Sequence, residues 1–220
     1  MLIQGVFSAV GFLLLLSQAI LLRAEPLPPG YCFNFSKKVT TPLQSMISEV
    51  SLTDLTASGQ KQGSADSHWG AARGIINASI REVLGLLKDH NTTKSPKVAA
   101  DDMKVEELND PNYLARQIVA FHLVPFPFIN IDWKEEWAYA LAEGTEKEPS
   151  LVMISYQKVD GTSHIKHLCG SMELKKSGPN QTDLYQYEEV SASRRSIEDT
   201  VKGLLGTLNT LREKIKNKVI

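Results

Sequence analysis

The stretch YQKVDGTSHIKHLCG, residues 156–170, gathers the side chains best able to do chemistry. It contains His164, His167 and Cys169, in a chain that has only five histidines and two cysteines. These residue types fit a metal site, or a thiol nucleophile activated by a neighbouring histidine. They also fit a third interpretation, a β-hairpin whose cysteine forms a disulfide bond.

The spacing favours the hairpin. Asp160-Gly161 lies between two strand-like runs, which is typical of a two-residue hairpin loop. Such a loop fixes the register, so that three pairs share the apolar face: Tyr156 with Ile165, Ile154 with His167, and Val152 with Cys169. Side chains alternate along a strand, so His164 and His167 point to opposite faces and cannot share a metal ion. We therefore predict no metal site, a structural His167 and a solvated His164.

The two cysteines, Cys32 and Cys169, are predicted to form a disulfide bond, as two cysteines in a secreted protein usually do. The bond would tie the N-terminal arm to the sheet. Closing so long a loop contributes about 4 kcal/mol to the free energy of unfolding. A catalytic Cys169 thiol is the alternative, because His167 lies two residues away on the same predicted face.

The N-terminal segment suggests export. Residues 5–22 are apolar apart from two serines and one glutamine, as in the hydrophobic region of a signal peptide. We predict that residues 1–24 are a signal peptide and that residues 25–220 form a single extracellular α+β domain with an extended N-terminal arm. A retained signal anchor is the alternative, because a segment of this length can just span a bilayer.

Four N-glycosylation sequons follow this segment, at Asn34, Asn77, Asn91 and Asn180. Each is an acceptor pattern in a protein that passes through a glycosylating compartment. Asn34, Asn91 and Asn180 lie in polar surroundings and are predicted to carry glycans. Asn77 falls in a predicted helix and is the sequon we expect to be buried and unused.

Hydrophobic periodicity predicts an α+β fold. Helices are predicted near residues 42–55 and over residues 70–91, with polar connections at 56–68 and 92–112. β-branched and aromatic runs then predict an antiparallel meander of three to four strands. From Ile197 to Ile215 apolar residues recur every three or four positions, and Ser196 with Asp199 resembles a capping box. We therefore predict N-terminal helices, a meander, and a long C-terminal amphipathic helix packed on the sheet.

Aromatic residues concentrate in the predicted sheet. Trp137 and Tyr139 alternate with Ala138, Ala140 and Ala142, so large and small side chains lie on opposite faces. The aromatic face either fills a core or lines a cavity for an apolar ligand, and the alanine face leaves room for a helix to approach. The candidate ligand-binding residues are Phe121, Trp133, Trp137, Tyr139 and Tyr156.

The chain shows no enzyme signature. It has no P-loop, dinucleotide fingerprint, zinc-protease helix or nucleophile elbow, and no cofactor is expected. Adjacent acidic residues, such as Glu135-Glu136 and Glu188-Glu189, are interpreted as solvated surface. The formal net charge of −1 gives no general attraction for nucleic acid. Membrane contact through the basic end of the C-terminal helix is conceivable on charge grounds but is not expected.

These observations predict a secreted, N-glycosylated, non-catalytic binding protein. Its expected partner is a lipid or another apolar small molecule, held between the sheet and the helices. The alternative is an extracellular protein-interaction module, such as an inhibitor, a receptor ligand or a surface glycoprotein. A third hypothesis is an enzyme whose site has no recognisable motif.

Overall fold

One antiparallel sheet of eight strands dominates the structure, a computed structural model that describes residues 53–61, 63–64, 66–93, 102–126, 129–193 and 195–218. The strands are β1 (Leu55–Gln60), β2 (His68–Ile76), β3 (Met103–Glu107), β4 (Ala115–Phe126), β5 (Ile129–Gly144), β6 (Pro149–Gly161), β7 (Ile165–Gly178) and β8 (Gln181–Ala192). The helices are α1 (Ile80–Lys88), α2 (His90–Thr93) and α3 (Ile197–Lys218).

The strand order is β1-β2-β8-β7-β6-β5-β4-β3. Strands β3 to β8 form a meander, in which each strand pairs with the next along the chain. The β1–β2 hairpin joins the free edge of β8, so that His68 pairs with Val190 and Ile76 with Thr182. The last strand of the chain is therefore an interior strand of the sheet.

The two faces of the sheet differ. We call the face that packs on α1 and α3 the inner face; it carries the main hydrophobic core, with buried residues such as Ile154, Leu174 and Leu184. The opposite, outer face carries two smaller clusters, one around Tyr185 and Tyr187 and one around Ala140, Leu151 and Met153.

The predicted C-terminal helix is confirmed as α3. Asp199 N–H donates to Ser196 Oγ at 3.1 Å, and Ser196 N–H donates to Asp199 Oδ2 at 3.2 Å, so the predicted capping interaction is present. Leu204, Leu208 and Leu211 form the buried stripe. This stripe packs the helix onto the inner face of the sheet, mainly against β2.

The close approach of α3 to β2 depends on glycines. A Cβ on Gly70 would lie 3.1 Å from Thr200 Cγ2 and 3.2 Å from Val201 Cγ2, both on α3. Near the other end of the helix, Arg212 donates to the Ile75 carbonyl and forms an ion pair with Asp54. We expected a helix beside the alanines of β5, but Ala138 and Ala140 lie on the outer face, and α3 packs against the small residues of β2.

The predicted N-terminal helices and the meander of three to four strands are wrong. Residues 68–76 form strand β2, and of the helix predicted over residues 70–91 only α1 and the start of α2 are helical. The segments expected to be connections contain β1 and β3. The other predicted helix, near residues 42–55, lies almost entirely outside the described residues.

The predicted register of the opening hairpin is also wrong. Cys169 pairs with Gln157, not with Val152, and Ile154 pairs with Met172. The connection is longer than two residues because β6 continues to pair with β5 as far as Gly161, while β7 begins only at Ile165. The five-residue difference in register is odd, so it moves Cys169 to the outer face, opposite to Tyr156.

Candidate ligand-binding site

The five candidate ligand-binding residues lie together on the inner face. Phe121 stacks on Trp133 with ring centroids 4.6 Å apart, and Trp137 stacks on Tyr156 at 4.2 Å. Tyr139 lies next to Trp137, with centroids 6.4 Å apart. We call this set the aromatic wall. Three neighbouring strands, β4, β5 and β6, bring it together, since alternate residues of each strand share a face.

The aromatic wall is buried at one end and open at the other. Tyr139 and Tyr156 are buried, whereas Phe121, Trp133 and Trp137 are only partly buried. Helix α3 packs mainly on β2, and α1 packs on β6, β7 and β8. The partly exposed end therefore lies on the strands farthest from the contact between α3 and β2, where an apolar molecule has large ring surfaces to cover.

Glu135 lies within the aromatic wall. Its carboxyl group accepts hydrogen bonds from Trp133 Nε1 at 2.7 Å and from Trp137 Nε1 at 3.0 Å. Only 6% of the residue is exposed. Burial raises the pKa of Glu135 to about 7, assisted by the nearby charge of Glu188 and opposed by the two indole N–H groups.

Glu188 on β8 faces the same interior. Tyr156 Oη donates to Glu188 Oε2 at 2.9 Å, and Arg195 forms an ion pair with Glu188 Oε1. Burial first, and the charges of Glu188 and Glu135 second, raise the pKa of Tyr156 well above its usual range, so its phenol stays protonated and donates. The guanidinium of Arg195 is thus committed to the second carboxylate, not to Glu135.

A chain of side-chain hydrogen bonds supports the buried end of the aromatic wall. His90 Nε2 is 2.9 Å from Gln117 Oε1, and Gln117 Nε2 donates to Glu107 Oε1 at 2.6 Å. Burial lowers the pKa of His90, so its imidazole is neutral at neutral pH and its Nε2–H donates to Gln117. The same ring meets Trp137 edge-on, with centroids 4.8 Å apart, and limits where the indole can move.

The residues that opened the sequence analysis lie away from the aromatic wall. His167 Nε2 is 3.1 Å from Glu189 Oε1 and 3.4 Å from Cys169 Sγ, on the outer face. His164 is exposed in the turn before β7, as predicted. Cys169 is buried on the outer face, away from the aromatic wall. Cys32 lies outside the described residues, so its pairing with Cys169 stays a prediction.

An open cavity of about 380 Å³ lies against the far end of β4 and β5. It is lined by Phe121 and Trp133 of the aromatic wall and by charged side chains, four of which form two pairs. His122 Nδ1 is 2.6 Å from Asp132 Oδ1, and Lys134 Nζ is 3.7 Å from Asp160 Oδ2. Over the described ranges, no three His, Cys, Asp or Glu side chains gather in a geometry that could hold a metal ion.

Three sequons can be placed on the structure. Asn91 and Asn180 are exposed, and Asn77 is exposed too, in the turn between β2 and α1 instead of inside a helix. Asn34 lies outside the described residues. Within the part of the chain that the structure describes, no helix has the length and hydrophobicity needed to cross a lipid bilayer.

No family model and no curated protein sequence matches this chain. Solved structures do match it. A STAR-related lipid transfer protein from Xanthomonas axonopodis aligns with a TM-score of 0.56 and 18% identity, over 76% of this chain and 96% of that one. The human StarD13 lipid transfer and protein localization domain aligns with a TM-score of 0.53 and 14% identity, over 77% of this chain and 85% of that one.

An aromatase/cyclase from a Streptomyces species also aligns, with a TM-score of 0.47 and 13% identity, over 70% of this chain and 96% of that one. At such identities the first two comparisons show the fold. This chain has a helix-grip, START-like α+β fold, named after the STAR-related lipid transfer domains: an antiparallel sheet with the C-terminal helix packed on its inner face.

Sequence reasoning found the aromatic wall and missed its acids. Glu135 and Glu188 belong to adjacent acidic pairs that we interpreted as solvated surface, but Glu135, Glu188 and Glu189 are all buried, the first two on the inner face. The position of Glu135 could have been predicted from strand alternation, because residues 133, 135 and 137 lie on the same face of one strand. Arg195 carried no such signal, since it lies in the short connection between β8 and α3.

Proposed function

We propose that this chain is a secreted carrier that holds a lipid or another apolar small molecule against the aromatic wall, without catalysing a reaction on it. One observation carries the proposal: five aromatic side chains from three strands share the inner face, and three of them remain partly exposed. Two solved domains with the same fold are named for lipid transfer, which supports an apolar ligand.

The energetics favour occupation of this surface. Covering apolar area contributes about 25 cal/mol for each Å² removed from water, so a ligand that covers several rings gains a few kcal/mol. The stacked pairs are held in place by the neighbouring strands and by His90, which limits the ordering cost of binding. The aromatic wall is therefore suited to apolar ligands of variable shape, and its side chains need little rearrangement when a ligand binds.

The proposed setting is the secretory pathway or the space outside the cell. Its support is the signal-like segment at residues 1–24 and the exposure of Asn77, Asn91 and Asn180. A carrier in an aqueous extracellular space needs a protected apolar surface, because its cargo is poorly soluble in water.

Binding of an apolar fluorescent probe tests the carrier directly. We expect saturable binding of one probe per chain, and Trp137→Ala is expected to weaken it by about tenfold, which is ~1.4 kcal/mol. The matched control is Trp69→Ala, because Trp69 is a partly buried tryptophan on the outer face, where it stacks on Tyr187. That variant should leave the probe affinity unchanged.

Two outcomes would reject the proposal. If no apolar probe binds the folded protein, or if both tryptophan variants weaken binding equally, the inner face is not the site and the protein-interaction module becomes the better hypothesis. Native mass spectrometry then tests the absence of catalysis: a carrier releases its ligand with the mass it had when supplied, whereas an enzyme releases a changed one.

A further inference from the structure

The interior beside the aromatic wall holds more acid than base. Glu135 and Glu188 both face it, and both are largely buried. Arg195 is the cation that pairs with this group, and its ion pair is with Glu188. Within the described part of the chain, no lysine, arginine or histidine forms an ion pair with Glu135. Among the described residues, Glu188 therefore has a cationic partner and Glu135 has none.

Hydrogen bonds alone do not balance the charge of Glu135. The indole N–H groups of Trp133 and Trp137 are neutral donors, and each occupies one position around the carboxylate. Each carboxylate oxygen accepts more than one hydrogen bond, so acceptor capacity remains. A buried ionised carboxylate without a cation costs several kcal/mol, and a cation brought close to it recovers much of that cost.

We propose that the ligand carries a protonated amine at one end of its apolar body, and that this ammonium group binds Glu135 between Trp133 and Trp137. The inference rests on the proposed carrier function and names the chemical class of its cargo. The ammonium N–H groups donate to the carboxylate, its charge supplies the missing cation, and the apolar chain lies along the aromatic wall.

Other polar ends fit this position less well. A carboxylate would add a third negative charge beside Glu135 and Glu188. A hydroxyl donates a hydrogen bond but brings no charge. A quaternary ammonium brings charge but has no N–H to donate.

A set of four straight-chain compounds of equal length tests the assignment: a primary amine, a trimethylammonium, an alcohol and a carboxylic acid. Each competes with the bound fluorescent probe on the full secreted protein. We expect the amine to bind at least about tenfold more tightly than the alcohol, equivalent to ~1.4 kcal/mol. The trimethylammonium should fall between them, and the acid should bind most weakly.

Glu135→Gln should remove most of the amine preference, bringing the ratio of amine to alcohol affinity close to one. The matched control is Asp132→Asn, an exposed acid on the same strand whose partner is His122. That variant should keep the full preference. Amine and alcohol binding to the wild-type protein at roughly pH 5.5 and pH 8.5 gives a second readout that needs no variant.

The direction in which amine affinity changes with pH follows from the groups around Glu135. The groups that face Glu135 are the two indoles, Tyr156, Glu188 and Arg195, and a primary amine stays protonated throughout this range. Ionisation of Glu135 should therefore make amine affinity rise with pH, while alcohol affinity stays level.

The outcomes separate the two proposals. If the alcohol binds saturably but the amine shows no preference, or if the preference survives Glu135→Gln or shows no pH dependence, the ammonium assignment is overturned and the carrier stands. If none of the four compounds displaces the probe or binds directly, the carrier and this inference both fail.

Discussion

Tyr156 on β6 donates a hydrogen bond to Glu188 on β8, at 2.9 Å, although β7 lies between these two strands. The ring crosses β7 at Gly170, its own pairing partner in the sheet. A Cβ on Gly170 would lie 2.5 Å from Tyr156 Cε1 and closer still to Cζ. The missing side chain of Gly170 is therefore what lets Tyr156 reach Glu188 and stack on Trp137.

Gly170→Ala should displace the Tyr156 ring. We expect the free energy of unfolding, measured in urea, to fall by about 2–4 kcal/mol, from the overpacked ring and the lost hydrogen bond. Gly206→Ala is the control, because a Cβ there meets nothing within 4 Å. That change lies in α3 and should stabilise the protein by up to ~1 kcal/mol. An unchanged unfolding midpoint for Gly170→Ala would show that the ring does not cross β7.

Stability should depend on pH through Glu135. Burial raises its pKa in the folded protein to about 7, from an ordinary 4.5. Below the unfolded pKa both states are protonated and the contribution is fully present; as pH rises through the folded pKa it is lost. Between about pH 5 and pH 8 the loss should be about 2.5 kcal/mol relative to Glu135→Gln.

The comparison with Glu135→Gln isolates this effect from other titrating groups. Burial lowers the pKa of His90, which shifts stability with pH in the opposite direction, and subtracting the variant removes that contribution. Urea unfolding of both proteins at the two pH values provides the measurement. Parallel curves for the two proteins would mean that Glu135 is not buried as described.

Leu204→Asp should destabilise the protein far more than Lys202→Asp. Leu204 is buried in the stripe of α3, whereas Lys202 is exposed. A carboxylate in place of Leu204 loses apolar contact and is buried without a partner, at a cost of about 3–5 kcal/mol. Thermal melts give the comparison, and equal midpoints would contradict the packing of α3 on the sheet.

Protein secreted from a eukaryotic host should carry N-linked glycans and begin near Ile20 or Glu25. Asn91 and Asn180 are exposed in the structure, so Asn91→Gln and Asn180→Gln should each remove one glycan-sized mass step on a gel. N-terminal sequencing checks the cleavage. A chain that starts at Met1 and shows no shift with glycosidase would contradict both predictions.

The sequence was most informative in segments where one hydrophobic periodicity, helical or strand-like, is clear. Helix α3 has a regular apolar stripe and its own capping residues, so local pattern and tertiary packing agree. On β5, Trp137 and Tyr139 alternate with alanines, and alternation is the geometry of a strand. These two patterns were sufficient to predict the long helix and the aromatic wall.

Strand β2 could not be predicted in the same way. Its inner face carries Gly70, Ala72 and Gly74 because α3 needs close approach there, and that requirement arises only in the folded protein. A run of small residues followed by Ile75, Ile76 and Ile80 reproduces helical spacing by coincidence. Tertiary packing therefore outweighed local propensity, as it often does for strands.

The pairing of β2 with β8 also has a consequence for folding. These strands are separated by more than a hundred residues, and α3 follows only after β8. During synthesis the β1–β2 hairpin must wait, unpaired on one edge, until nearly the whole chain has emerged. Folding is slowed because the entropy of closing so large a loop is lost before any native contact between these strands stabilises the chain. We therefore expect completion of the β2–β8 ladder to limit the folding rate, and truncation before β8 to leave an aggregation-prone edge.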